Sequence, residues 1–218
     1  MGRMKLQRTP TMRRMPTYLH RLLQLQEEGC LYVSCTELAA YMNIDLIVAR
    51  KDIAMTGLAG HRRYGYKVVE LIEAIRRFVG WDQPVSAVLV GAGALGSALL
   101  GYDGFAEYNL DFRCVFDSDP GKIGRMVHGH EVLDFAQAPQ ILQTEAPKVG
   151  IICVSNQAAQ QVADQLIACN VRFLWNFANV CLNVPEGVIV QREVIAGGFA
   201  VLAAKIKNIE SGDELEEE

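Results

Sequence analysis

The chain has 218 residues, half of them hydrophobic and 21% charged, with 21 Lys/Arg against 25 Asp/Glu. That composition supports a buried core and excludes global disorder, and no apolar run approaches the roughly 20 residues a membrane helix needs. Charge is unevenly placed: residues 1–80 carry thirteen Lys/Arg against seven Asp/Glu, and residues 81–218 carry eight against eighteen. A cationic front and an anionic back read as two modules, the first suited to a polyanion. The basic N-terminus lacks an apolar stretch behind it, so a cytoplasmic protein without a secretory signal is expected. Six cysteines (Cys30, Cys35, Cys114, Cys153, Cys169, Cys181) form no C-x-x-C pair and no metal-ligand spacing with the four histidines. Reduced structural thiols and no metal follow.

Residues 1–12 read as a loose basic arm. Pro16, a favoured first-turn residue, places the start of a first helix whose apolar stripe uses Tyr18, Leu19, Leu22, Leu23 and Leu25; Gly29 ends it. Leu31-Tyr32-Val33 is a short extended piece. Ser34-Cys35-Thr36-Glu37 matches a capping box that opens a second helix, and Asp45 caps a third, from Leu46 to about Met55. Two short helices joined by a tight turn make a helix-turn-helix. The glycine-punctuated, basic stretch from Gly57 to Tyr66 reads as a β-hairpin wing. A helix over Val68 to Val79 turns Val69, Leu71, Ile72, Ile75 and Phe78 inward, and residues 80–84 are a linker.

From residue 85 strand and helix alternate. Strands are expected at 85–90, 111–117, 130–133, 149–154, 172–177 and 187–191, and helices at 94–102, 134–145 and 156–169, with a helical turn near 120–126. Near-continuous apolar strands such as Gly150 to Val154 indicate a parallel sheet covered on both faces. A last helix at about 195–209 precedes an acidic tail, 210–218. The fold class is therefore α/β: a winged helix-turn-helix over 1–80, then a Rossmann-like parallel sheet over 85–194, then the C-terminal helix.

The glycine turn Gly91-Ala92-Gly93-Ala94-Leu95-Gly96 follows a strand, opens a helix, and is followed by an acid at the end of the next strand, Asp117. Gly91 permits the tight turn, Gly93 admits a pyrophosphate, and Gly96 lets helix and strand pack. Asp117 can accept hydrogen bonds from ribose hydroxyls and repel a 2′-phosphate, which selects NAD(H) over NADP(H). On the front module Arg50 and Lys51 lie on the third helix, His61, Arg62 and Arg63 on the wing, and Arg13 and Arg14 ahead of the first helix. They suit phosphate clamping of double-stranded DNA. His128 and His130 are the histidines of the second module, and no Lys/His or Tyr/Lys pair of dehydrogenase type accompanies them, so a regulator rather than an enzyme is expected.

The chain resembles the Rex family of redox-sensing transcriptional repressors over 11–206. The resemblance is carried by Arg14-Met15-Pro16 with Tyr18-Leu19, Arg50-Lys51-Asp52, Gly65-Tyr66, the glycine turn with Gly101-Tyr102-Asp103-Gly104-Phe105, Phe116-Asp117-Ser118-Asp119-Pro120 with Lys122, and Asn176-Phe177-Ala178. It implies a homodimer that binds a double-stranded DNA operator with NAD+ and releases it with NADH, the C-terminal helix swapping into the partner. It also implies Val154, Asn176, Phe177 and Ala178 as further cofactor contacts and Tyr102 as a switch residue. The chain departs from the family pattern at Val48, where a glutamine is usual, at Arg63, where a wing glycine is usual, at Asn179, where a proline is usual, and at Val194, where an aspartate pairs with the switch tyrosine. Those departures leave open a regulator with an altered redox response, and a small NAD-dependent oxidoreductase is the third reading.

Overall fold

The computed structural model describes residues 9–211, so most of the expected arm and the tail beyond Ser211 lie outside the described residues. The chain divides after Pro84 into two compact units, Met1–Pro84 and Val85–Glu218.

The front unit is built on helix α1, Thr9–Glu27, followed by β1, Tyr32–Val33, α2, Cys35–Met42, α3, Leu46–Ala54, β2, Tyr66–Lys67, and α4, Val68–Val79. Helix α1 begins seven residues before Pro16, not at it. Its first turns are fixed from outside: Thr11 and Arg14 both hydrogen-bond Asp52 on α3. That tertiary hold offsets the missing proline donor, which by itself favours a helix start. Met15, Tyr18, Leu19 and Leu22 of α1 are fully buried with Leu38, Ala49, Ile53, Leu71 and Ile75. On α4 it is Val68 that points inward, while Val69 is 52% exposed.

The capping box is present as expected, with the Ser34 hydroxyl accepting from the Glu37 amide and the Glu37 carboxylate from the Ser34 amide. Asp45 caps α3 through the Ile47 amide at 2.6 Å. The wing is slighter than a full hairpin. It has one bridge, His61 to Gly65, and β2 then pairs antiparallel with β1.

The rear unit is a seven-stranded sheet made of β3 (Val85–Val90), β4 (Leu110–Asp117), β5 (Met126–Val127), β6 (His130–Asp134), β7 (Val149–Ile152), β8 (Phe173–Asn176) and β9 (Ile189–Arg192). Its order is β5-β6-β4-β3-β7-β8-β9, parallel throughout except for the β5–β6 hairpin. That hairpin turns at His128, whose backbone is left-handed at φ 47° ahead of Gly129 at 84°. Residues 120–124 form turns rather than a helix. The helices are α5 (Ala94–Leu100), the four-residue α6 (Gly104–Glu107), α7 (Ala138–Glu145), α8 (Asn156–Ala168) and α9 (Ala196–Ser211).

Side chains alternate across β3. Val88 and Val90 pack with Phe116, Ile152, Leu142, Ala159 and Leu166 on the face carrying α7 and α8. Ala87 and Leu89 pack with Val115, Ile151 and Leu100 on the other. Both faces are covered, which is why these strands read as unbroken apolar runs. Strand β3 is central, and the chain moves outward to β4 and β6, then returns to β7 on its other side. The crevice between the carboxyl ends of β3 and β7 is the switch point where such sheets bind ligands. Among the described residues no helix is long and apolar enough to cross a membrane.

Candidate functional site

The glycine turn lies at that switch point. Gly91 has φ 105°, and a Cβ on it would run into the carbonyl oxygen of Cys153 on the neighbouring strand end. Its amide donates to the Phe116 carbonyl at 2.8 Å. A Cβ on Gly96 would strike the Gly91 carbonyl oxygen, so both positions are closed to any side chain. Gly93, which caps α5, has nothing within 4 Å of a Cβ position. The turn is thus packed tight behind and open in front, the shape a diphosphate requires, and a helix start adds unpaired N–H donors and partial positive charge.

The cleft in front is lined by Val90, Gly91 and Gly93, by Asp117, Ser118 and Lys122, and by Cys153, Val154, Ser155, Phe135, Ala158 and Val162. Asp117 ends β4 at 7% exposure. Its Oδ2 accepts from the Ala92 amide and from Lys122 Nζ, and its Oδ1 from the Asp119 amide, each at 2.9 Å. Burial opposes its charge, but the Lys122 bond and the two amides outweigh it and hold the carboxyl below its ordinary value. Cys153 is pushed up to about 12 by burial, so the thiol in the cleft wall stays protonated.

The residues present fit an adenine dinucleotide: a forced glycine turn, an open space at Gly93, and an ionised carboxylate at the end of the second strand. Lys122 and Ser118 are among the cleft residues that sequence reasoning did not assign to the cofactor, with the apolar wall of Val90, Phe135, Ala158 and Val162 and with Cys153 and Ser155. The signal for Lys122 was there in Asp119-Pro120-Gly121-Lys122, where the Asp119 carboxylate accepts from the Gly121 amide at 2.9 Å and the turn returns Lys122 to Asp117.

Of the expected cofactor contacts, Gly91, Gly93, Asp117 and Val154 line this cleft. Ala92, Ala94, Leu95 and Gly96 form the turn and helix start behind it. Asn176 is fully buried, with Nδ2 donating to the Val180 carbonyl and Oδ1 accepting from the Ala178 amide, both at 3.0 Å. Its side chain holds the turn after β8 and is not in the cleft lining. Phe177 stacks on Trp175 at 4.9 Å in the aromatic layer beside Phe105. Tyr102 is half exposed, edge-on to Phe105 at 5.0 Å, and shares a hydrogen bond with Tyr108. Glu193, near Val194, accepts from Gln191 Nε2 at 3.0 Å.

In the front unit one open cleft gathers Arg50 of α3, His61, Arg62 and Arg63 of the wing, and Ser34, Cys35 and Thr36 at the start of α2. Gly65 has φ 80°, and a Cβ there would strike the Val33 carbonyl oxygen, which fixes the wing against β1. Arg63 lies 5.8 Å from the Tyr64 ring centre, and Tyr64 stacks on Tyr32 at 5.4 Å. Lys51 and Arg13 are exposed outside that cleft. Arg14, expected to suit phosphate clamping, is engaged within the unit. Its Nε and Nη2 bond the carboxylate of Asp52 at 2.6 and 2.8 Å, so the guanidinium braces α1 to α3.

Family models agree with this division. One described as a CoA binding domain matches residues 82–180, and one describing a DNA-binding protein N-terminus matches residues 9–54. The redox-sensing transcriptional repressor Rex of Treponema denticola is 37% identical over 93% of this chain and 96% of its own. Among solved structures, RSP, a Rex-family repressor, in complex with NAD+ and operator DNA is 27% identical with a TM-score of 0.83, covering 93% of both chains. RSP in complex with NADH is 26% identical with a TM-score of 0.80, covering 92% of this chain and 94% of its own. With the Treponema denticola repressor related over nearly the full length of both chains, this chain belongs to the Rex family of redox-sensing transcriptional repressors.

Proposed function

We propose that this chain is a cytoplasmic, homodimeric repressor whose hold on a double-stranded DNA operator follows the NADH/NAD+ ratio. One observation carries the reading. A single chain joins a basic cleft bounded by Arg50, His61, Arg62 and Arg63 to a glycine-turn cleft closed by Asp117. In this reading Arg50 and Lys51 enter the major groove side, the wing residues and Arg13 contact phosphates, and Arg14 acts at one remove by fixing α3. The pyrophosphate of NAD(H) sits over Gly91 to Gly96, and Asp117 takes the adenosine ribose. The bound nucleotide's oxidation state is the signal, which requires that NADH and NAD+ interact differently with the two forms of the protein. RSP in complex with NAD+ and operator DNA supports the oxidised form as the one compatible with DNA.

A regulator is favoured over an oxidoreductase by the likeness over both units to redox-sensing repressors and to RSP in complex with operator DNA. The test is anisotropy of the full-length protein on an operator selected from a randomised duplex pool. Affinity should fall steeply with salt, and NADH should weaken it by a factor of about 5–150 while NAD+ does not. Retention indifferent to salt and to both nucleotides would overturn the proposal. A second reading, an NAD(H)-binding regulator with an altered redox response, is favoured by one observation: Val194 offers no carboxylate, and Glu193 beside it is bonded to Gln191. Salt-dependent binding that NADH changes less than about fivefold would support it.

A further inference from the structure

Residues 1–26 hold six cations, Arg3, Lys5, Arg8, Arg13, Arg14 and Arg21, and no Asp or Glu. The front unit uses two of them internally: Arg14 pairs with Asp52 and Arg21 with Glu28. Arg13 stands exposed in the first turns of α1, and Arg3, Lys5 and Arg8 precede that helix. Where α1 starts decides what those three can reach. Thr11 and Arg14 tie its first turns to the buried Asp52 carboxylate at 2.7 and 2.6 Å. Asp52 directly follows Arg50 and Lys51, the exposed cations of α3. The chain ahead of Thr9 is therefore rooted beside the helix that carries the unit's outward charge. From that root residues 3–8 reach at most about 3.5 Å each, roughly 20 Å in all, a length along which a duplex presents several phosphates. Helix starts ordinarily draw acidic residues. Helix α1 has none in its first turn and has cations ahead of it instead, an arrangement that an anion relieves.

Resting on the DNA reading, we propose that Arg3, Lys5 and Arg8 form a phosphate-binding arm that lengthens the DNA footprint beyond the contacts of α3 and the wing. The three cations alternate with Met4, Leu6 and Gln7, so charge is what the segment chiefly offers. Charge reads the sugar-phosphate backbone, which positions a protein without telling one sequence from another. The arm thus adds affinity for any duplex and leaves the choice among duplexes to α3 and the wing.

Anisotropy of the full-length protein across a salt series tests it, on the selected operator and on a scrambled duplex of the same length. Wild type is compared with the triple variant Arg3→Gln/Lys5→Gln/Arg8→Gln and with Arg3→Lys/Arg8→Lys. Both variants keep Thr11 and Arg14, so the root of the arm is untouched. Each lost phosphate contact flattens the plot of log affinity against log salt by about 0.9. With both arms of a dimer engaged, the glutamine variant should flatten it by about five on either duplex. The ratio of operator to scrambled affinity should stay within about twofold of wild type, because the lost contacts carry no sequence information. The lysine variant should keep the wild-type slope. A slope changed by less than about one, a lysine variant that behaves as the glutamine one does, or a loss confined to the operator would overturn the proposal while leaving the DNA reading intact. Wild-type binding without salt dependence would remove the DNA reading itself.

Discussion

Asp52 is 1% exposed and accepts from three side chains of α1: Arg14 bidentately, Thr11 at 2.7 Å and Tyr18 at 3.1 Å. Burial disfavours its charge, but the Arg14 and Thr11 bonds outweigh that and depress its carboxyl, while burial and the same carboxylate push the Tyr18 phenol up. A depressed carboxyl contributes stability that is present above the unfolded value, about 3.9, and is lost as pH falls through the lower folded value. Asp52→Asn keeps the shape and leaves the Arg14 guanidinium unpaired. Breaking one side of a buried pair costs about 3 kcal/mol, reduced where one partner is partly exposed as Arg14 is. Urea midpoints measured across pH 2–7 should therefore be lower for Asp52→Asn at neutral pH and converge on wild type below about pH 4. Parallel curves would show that the network's charge contributes nothing to stability. The sequence displayed Arg14 as one more surface cation, because its partner is 38 positions away and no local pattern announces it.

Helices whose boundaries are set by neighbouring residues were readable, and those set from a distance were not. Helix α2 belongs to the first kind: Ser34 and Glu37 satisfy each other's amides at 3.1 and 2.7 Å within four residues. The Ser34 amide and then its hydroxyl hold the Glu37 carboxyl below its ordinary value, against the opposing effect of burial. Helix α1 belongs to the second, since its first two turns depend on Asp52. The parallel sheet and glycine turn were legible because apolar runs and φ-positive glycines are local demands. Strand β6 was expected, but its partner β5 was missed because a two-residue strand carries no period, and Lys122 because its meaning arises only when the turn after Asp117 closes. Ser34→Ala tests the element scale. Losing an N-cap oxygen costs about 1 kcal/mol, so amide exchange along α2 should quicken roughly fivefold. Since Ser34, Cys35 and Thr36 wall the basic cleft, DNA affinity should fall as well, with NADH affinity unchanged because the glycine turn belongs to the other unit. Unaltered exchange in α2 would show that the cap contributes nothing measurable.

At the scale of the molecule, α9 is the element the fold leaves unaccounted for. None of its residues is buried, and Phe199, Val201, Leu202, Ile206 and Ile209 are between 46% and 70% exposed. A helix with that much apolar surface has not found its packing partner within one chain, since solvated helices keep apolar residues to a stripe facing a core. A second copy is the partner that the resemblance implies, and it answers a need of the DNA reading too. An operator with two half-sites requires two front units held at a fixed spacing. Gly197 and Gly198 lie in the first turn of α9 and weaken it by up to about 1 kcal/mol each relative to alanine. Gly198→Ala, which meets nothing within 4 Å of its Cβ in one protomer, separates the two demands. If that face stays open in the dimer, the alanine, present in both α9 helices, should lower the dimer dissociation constant by up to roughly thirtyfold (about 2 kcal/mol), with operator affinity rising in step. Truncation after Val194 should give a species of half the mass in sedimentation, able to bind NADH but with operator affinity reduced to that of a single half-site. A truncated protein that still sediments as a dimer would move the interface away from α9 and leave its apolar surface to some other partner.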